Sequence, residues 1–394
     1  MPKRAWERFL ESTRRKNIAR ISEFYKAHYL PRTVLVPSGR FGLYTVVKEM
    51  LRPGDHVLVS PITCHTVVEA LLAGQVNPVF VGIELETGNI DIKRLSPSLL
   101  ASAKGIITTN LYGNADQVTE IRALTKAHGL LWIEDCAHVL ETTVDGQRVG
   151  SFGDVSIFSF KKYFRERGGI ITMRDADAMR QVENRVLKDS RMFDSRQDRL
   201  RYTQHQISRF GGQFAARVLA AGYRRFRGSF DGSKAVGTPE ADESIDNDRS
   251  SPALDRGADC EFPSTAALLR VADQISRHGQ LVADALRRTE ELVRHSPLPI
   301  RRNRNCDRVC YLVAPVLFLR RDEVVARMKS RGVPTYFMYN PPMTQRFARV
   351  LRAQDLDEES VTEWSQQILP VPLPHGREYV EEICGVIGSV PVET

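Results

Sequence analysis

Residues 130–173 read LLWIEDCAHVLETTVDGQRVGSFGDVSIFSFKKYFRERGGIITM, and the fold is decided here. Leu130 to Ile133 is a short apolar run that ends at Glu134-Asp135. Such a run, without polar alternation, reads as a parallel strand buried on both faces with acids at its carboxyl end. Val155 to Phe160 is a second run of the same kind, followed by Lys161-Lys162 and then by the pair Gly168-Gly169. An acid after one strand and lysines after another do not suit a purely structural core, where charge is costly to bury.

Upstream the same rhythm repeats. Thr33 to Val36 reads as a strand, Pro37-Ser38-Gly39-Arg40-Phe41-Gly42 as a small-residue turn, and Leu43 to Leu51 as a helix. Pro53-Gly54-Asp55 leads into a strand, and Thr63-Cys64-His65-Thr66 opens the helix Val67 to Ala73. Val79 to Val81 and Gly105 to Thr108 are further strands, and Ala115 to His128 is a helix stopped by Gly129. This alternation predicts an α/β fold, a mostly parallel central sheet between helices. Ligands of such sheets lie beyond the carboxyl ends of the strands. Ser38 to Phe41, Thr63 to His65, Asn110, Asp135, His138 and Ser159 to Lys162 all fall there. The turn at 38–41 would aim backbone amides and a helix dipole at an anion, although glycine in such turns also has a steric use. A lysine to condense with an aldehyde and an acid to partner a ring nitrogen are what pyridoxal 5'-phosphate requires.

At 394 residues the chain is long enough for two or three domains. Residues 1–30 read as a helical arm with Trp6, Phe9, Leu10, Ile18, Ile21 and Phe24 at helical spacing, and 31–227 as the large domain. Residues 192–230 are arginine-rich with interleaved apolar side chains, as in an amphipathic helix resting on the protein or a partner subunit. Residues 228–258, poor in apolar side chains, read as a mobile loop. Residues 259–394 read as a smaller α+β domain, with one long helix from Thr265 to Val293 and a strand from Cys310 to Leu319. Helices follow at Arg321 to Gly332, Ser360 to Gln367 and Glu378 to Ile387.

Hydrophobic content of 42% and charged content of 26% are those of a soluble globular protein. The basic, amphipathic N-terminus lacks an apolar segment, so neither a signal peptide nor a membrane span is expected. The six cysteines are scattered, and Cys306 and Cys310 lack a second ligand pair; no metal site and a reducing, cytoplasmic setting are expected. The net charge of +8 comes from dispersed arginines, which fits a solvated face, a subunit contact or an anionic small substrate better than nucleic acid.

With these motifs in view, the chain from Val34 onward resembles the DegT/DnrJ/EryC1/StrS family of sugar aminotransferases, pyridoxal phosphate enzymes of fold type I. The resemblance rests on Pro53-Gly54-Asp55, Asn77-Pro78-Val79-Phe80-Val81, Gly88-Asn89-Ile90-Asp91 and Leu111-Tyr112-Gly113. It continues through Ile133 to His138, Gly150 to Asp154, Phe158-Ser159-Phe160 and the closing Leu369 to Leu373. It implies that Asp135 bonds the pyridine nitrogen and that His138 bonds the ring's 3-hydroxyl. Gly39, Arg40, Phe41 and Ser159 would hold the phosphate, and Lys162 would form the Schiff base, with Lys161 as the alternative. It also implies a glutamate donor, a nucleotide-linked keto-sugar acceptor and a homodimer. Arg301, Arg302 and Arg304 would either meet the acceptor's phosphates or stand solvated.

The departures are specific. Relatives often place the lysine five residues after the serine, where this chain has Phe164, and the loop to Gly168-Gly169 is shorter. The ring-stacking position, usually aromatic, is Cys64, leaving His65 to stack. The family's Gly-x-Asn-x-Arg stretch is not recognisable near Glu261 to Ala267. Arg165 and Arg167 occupy a normally acidic loop and are expected to lower the lysine's pKa. Family members that dehydrate deoxysugars carry histidine in place of the lysine, and no histidine lies between Val155 and Met173. A catalytically silent regulatory or scaffold protein on this fold is the other alternative.

Overall fold

The computed structural model describes residues 3–191, 195–210, 260–295, 306–311, 313–317, 321–332, 339, 341–348, 358–372, 382, 385 and 386. The loop expected at 228–258, the arginines at 301–304 and most of the helix expected at 378–387 lie outside them. Among the described residues no helix is long and apolar enough to cross a membrane.

In chain order the strands are β1 (Arg32–Val36), β2 (His56–Val59), β3 (Asn77–Phe80), β4 (Ala103–Thr108) and β5 (Leu131–Asp135). A small hairpin, β6 (Thr142–Val144) and β7 (Gln147–Arg148), precedes β8 (Val155–Ser159) and β9 (Gly169–Met173). The central sheet is ordered β1-β9-β8-β5-β4-β2-β3. β3, β2, β4, β5 and β8 pair in parallel, while β9 is antiparallel to both its neighbours. The fold is therefore α/β with a mostly parallel central sheet. Crossover helices bury both faces of the parallel strands, which explains their unbroken apolar runs.

The first helix, Lys3–His28, lies along the helix Thr265–Ile275. Arg14 donates to the Pro263 carbonyl (2.7 Å) and Arg20 to the Ser276 hydroxyl (2.7 Å). Tyr25 and Tyr29 press on Phe158 of β8, with ring centroids 4.8 and 4.5 Å apart, so the arm braces the strand that leads into the lysine pair.

Three sequence expectations are corrected. Gly39 to Phe41 are not a turn before a helix but the first turn of the helix Gly39–Met50, because Ser38 caps it by accepting the Phe41 amide (3.1 Å). The long helix is two, Thr265–Ile275 and His278–His295; Ser276 turns its hydroxyl back onto the Ala272 carbonyl (2.8 Å) and takes the Arg20 bond there. The strand expected over Cys310 to Leu319 is shortened to β11 (Val313–Leu317), and an unexpected strand, β10 (Cys306–Val309), precedes it. β10 joins β6, whereas β11 pairs with β12 (Ile368–Pro372), so the two strands serve different sheets.

Of the acid pair, Glu134 is structural. Its carboxylate accepts the amides of Gly150 (2.9 Å), Phe152 (2.8 Å) and Gly153 (2.8 Å) and shapes the loop entering β8. Burial raises its pKa, and those amides oppose the rise. Glu134→Gln sets an NH2 group against buried N–H donors and is expected to cost about 2–4 kcal/mol. Denaturant unfolding would check this; an unchanged midpoint would deny Glu134 its role.

Candidate active site

Parallel pairing brings Asp135, at the end of β5, beside β8, whose end continues into the single helical turn Phe160–Tyr163. Ser159 caps this turn, its hydroxyl accepting the Lys161 amide at 3.4 Å. The turn leaves Lys161 exposed and carries Lys162 into a half-buried position. Lys162 and Asp135 are close enough that each shifts the other's pKa.

Burial pushes the Asp135 carboxyl up to about 6; the Ala137 amide, donating to Oδ1 at 2.9 Å, and the Lys162 charge hold it from rising further. Burial lowers the Lys162 pKa and Lys161 adds to the lowering, while Cys64 and Asp135 oppose it. The arginines expected to lower it do not. Arg165 is exposed, where water screens it, and Arg167 lies 3.7 Å from Glu261.

Asn110 supports the acid from β4. It stands in the left-handed region (φ 45°), donates its side-chain amide to the Asp135 carbonyl (3.3 Å) and its backbone N–H to Asp116 (2.9 Å). Asp116 is fully buried, and that burial moves its carboxyl up to about 7.

On the other flank, the start of the helix Gly39–Met50 abuts Ser159. A Cβ on Gly39 would lie 3.4 Å from the Ser159 Cβ, and one on Gly169 would lie 2.5 Å from the Phe158 carbonyl and 3.2 Å from the Gly39 nitrogen. The two glycines thus let the helix start close over β8, aiming its positive end at the strand ends. Arg40 leans away to Glu69 (3.6 Å), and the Phe41 side chain is buried in the core.

His138 is buried and neutral, since burial and the Lys162 charge hold its pKa well below the ordinary value. Its Nδ1 accepts the Tyr112 amide (3.1 Å), so the proton sits on Nε2, which donates to the Tyr339 hydroxyl (3.0 Å). Tyr339 is a site residue that the sequence reading missed. Its ring lies nearly parallel to His138 (centroids 5.8 Å, 24°) and within electrostatic reach of Cys64 and Asp135. Cys64 caps the helix His65–Ala73 and receives the Thr66 hydroxyl at its sulfur (3.1 Å); His65 begins that helix, half-buried. The aromatic surface near Cys64 is therefore Tyr339, 201 residues from His138 in sequence and without any local signature.

These residues offer an amine, a carboxylate and a helix start with a hydroxyl around one set of strand ends. That donor set suits a ligand with an aldehyde, a basic ring nitrogen and a phosphate.

Residues 24–212 match the model of the DegT/DnrJ/EryC1/StrS aminotransferase family. The chain is 32% identical over 151 residues to the GDP-perosamine synthase of Vibrio cholerae, covering 38% of this chain and 41% of that one. It is 35% identical over 137 residues to the UDP-N-acetyl-3-dehydro-alpha-D-glucosamine 3-aminotransferase of Acidithiobacillus ferrooxidans, covering 33% and 36%. The match thus spans less than half the length of these relatives. The structure superposes on Helicobacter pylori PseC, an aminotransferase involved in the biosynthesis of pseudoaminic acid, with a TM-score of 0.67 over 94% of this chain and 90% of that one. At 16% identity that likeness is one of fold.

The raised Asp135 pKa carries a stability signature. A carboxyl whose pKa rises on folding favours the protonated form, so its stabilising effect is present below the unfolded value and lost as pH climbs through about 6. Asp135→Asn does not titrate and is expected to gain on wild type by about 1–3 kcal/mol between pH 4 and pH 7.5. Urea midpoints of both proteins at the two pH values measure this; a constant difference would mean an unshifted carboxyl.

Proposed function

We propose, for a chain that belongs to the DegT/DnrJ/EryC1/StrS aminotransferase family, the activity of a pyridoxal 5'-phosphate-dependent aminotransferase acting on a keto-sugar. The observation that carries this reading is the opposition of Asp135 and the half-buried Lys162 at adjacent strand ends. Bound there, pyridoxal phosphate supplies an aldehyde for amine exchange and a ring that draws electrons from the substrate's α-carbon.

Lys162 would hold the aldehyde carbon, with Lys161 as the alternative. The lowered pKa of Lys162 increases the share of neutral amine, which can bond that carbon. Once free, the same amine would serve as the base and acid that moves a proton between the donor's α-carbon and the cofactor's C4′. Asp135 would keep the ring nitrogen protonated through an ion pair, and a carboxyl with a pKa of about 6 is ionised at neutral pH. Gly39, Arg40 and Phe41 at the helix start, with the Ser159 hydroxyl, would hold the phosphate. By resemblance His138 would bond the ring's 3-hydroxyl, through the Nε2 proton that meets the Tyr339 hydroxyl. Cys64 and His65 would line the cofactor site on the side of Tyr339.

By resemblance the donor is glutamate. The acceptor is a nucleotide-linked keto-sugar, a class consistent with the GDP- and UDP-linked names of the relatives. We assign the enzyme to sugar, polysaccharide or natural-product biosynthesis, as a homodimer in the cytoplasm.

The visible absorbance of purified protein with added pyridoxal phosphate tests this reading. A band that glutamate bleaches is expected in wild type and in Lys161→Ala, and is expected to be lost in Lys162→Ala. Loss only in Lys161→Ala would move the assignment by one residue. No band in wild type would favour the catalytically silent scaffold, and a band indifferent to glutamate and other amino acids would favour a different reaction, such as deoxysugar dehydration.

A further inference from the structure

Lys161 and Lys162 are successive residues on one helical turn, so about 100° of rotation separates their directions. Only one can face Asp135, and a rotation of that size would exchange them. A helix of four residues, Phe160–Tyr163, has no cooperative length with which to hold its own orientation. The orientation must come from its surroundings.

The short loop after the turn provides the anchor. Phe160 donates its amide to the Gly168 carbonyl (3.0 Å), and its own carbonyl accepts the amides of Phe164 (3.1 Å) and Glu166 (3.3 Å). Arg165 is bent into the left-handed region (φ 53°), a conformation that costs a non-glycine residue of order 1 kcal/mol and that the loop would relax if released. What keeps it bent is the helix Thr265–Ile275. Arg270 forks onto Glu166, Nε meeting Oε1 and Nη2 meeting Oε2 (2.8 Å), and one turn further on Gln274 donates to the Phe164 carbonyl (3.2 Å). The Glu166 side chain is only 14% exposed, which shelters the carboxylate end of the pair from screening.

We propose that the Glu166–Arg270 pair, backed by Gln274, is the device that presents Lys162 rather than Lys161 to the cofactor. The inference rests on the aminotransferase reading above. Arg270 and Glu166 act as positioning residues through the turn that bears the lysines, and Glu166 lies in the segment where this chain departs from its relatives' lysine spacing. The pair thus takes the place of a longer loop.

The test uses the full chain loaded with pyridoxal phosphate, reduced with borohydride to fix the cofactor to the amine that holds it, digested and mapped. Wild type is expected to carry the label on Lys162. In Arg270→Ala, Lys161 is expected to take at least a tenth of the label. Glu166→Gln, which keeps the shape and removes the charge, is expected to do the same and covers a failure of Arg270→Ala to fold. The charge-swapped pair Glu166→Arg with Arg270→Glu is expected to return the label to Lys162, which a general loss of stability would not do. Label confined to Lys162 in both single variants would overturn the inference while leaving the aminotransferase reading intact. No label on either lysine in wild type would overturn both.

Discussion

A carboxylate and an amine held at the ends of two adjacent parallel strands set the terms for everything around them. Neither group suits burial alone: desolvation raises the Asp135 pKa and lowers that of Lys162, driving each toward its neutral form, while the charge of each favours the ionised form of the other. Their attraction recovers part of that cost, and the scaffold recovers more by fixing the geometry. Ala137 and Asn110 hold the acid's strand end, Ser159 caps the lysine turn, and the arm's tyrosines brace Phe158 beneath it. A site so organised gains from a ligand that brings a cationic ring nitrogen to the acid and an aldehyde to the amine. Reactive groups strained by their own burial are a recurrent mark of catalysis.

The supporting shell has its own logic. Glu134 and Asp135 are sequence neighbours with opposite duties, because successive strand residues point to opposite faces of the sheet. Glu134 turns into the protein and meets three loop amides, while Asp135 reaches the strand end and the lysine. Tyr339 brings an aromatic ring to the side where Cys64 supplies none, and His138 holds its hydroxyl.

The sheet was legible in the sequence because buried parallel strands leave unbroken apolar runs and the helices between them end at glycines such as Gly129. The acid and lysine were legible for a related reason: charge at the end of an apolar strand is conspicuous. Tyr339 was not, since a single aromatic far along the chain carries no periodicity and its place depends on tertiary packing. The break at Ser276 and the strand Cys306–Val309 were missed likewise. The first is fixed by a hydroxyl and an arginine from the arm; the second, Cys306-Asp307-Arg308-Val309, has no apolar run and is a strand through its pairing with β6. The pairing of Glu166 with Arg270 spans 104 residues and could not be read from either end. Its consequence is that the shortened lysine loop still has a fixed shape.

The central claim is that the ends of β5 and β8 form one cofactor site with the acid and the lysine on opposite sides of it. A crystal structure of the protein grown with pyridoxal phosphate tests this most directly. The account predicts continuous density from the Lys162 Nζ to the cofactor, the Asp135 carboxylate within hydrogen-bond distance of the ring nitrogen, and the phosphate against Gly39 and Ser159. Cofactor bound elsewhere on the fold, or seated at the strand ends with Asp135 turned away from the ring nitrogen, would contradict it.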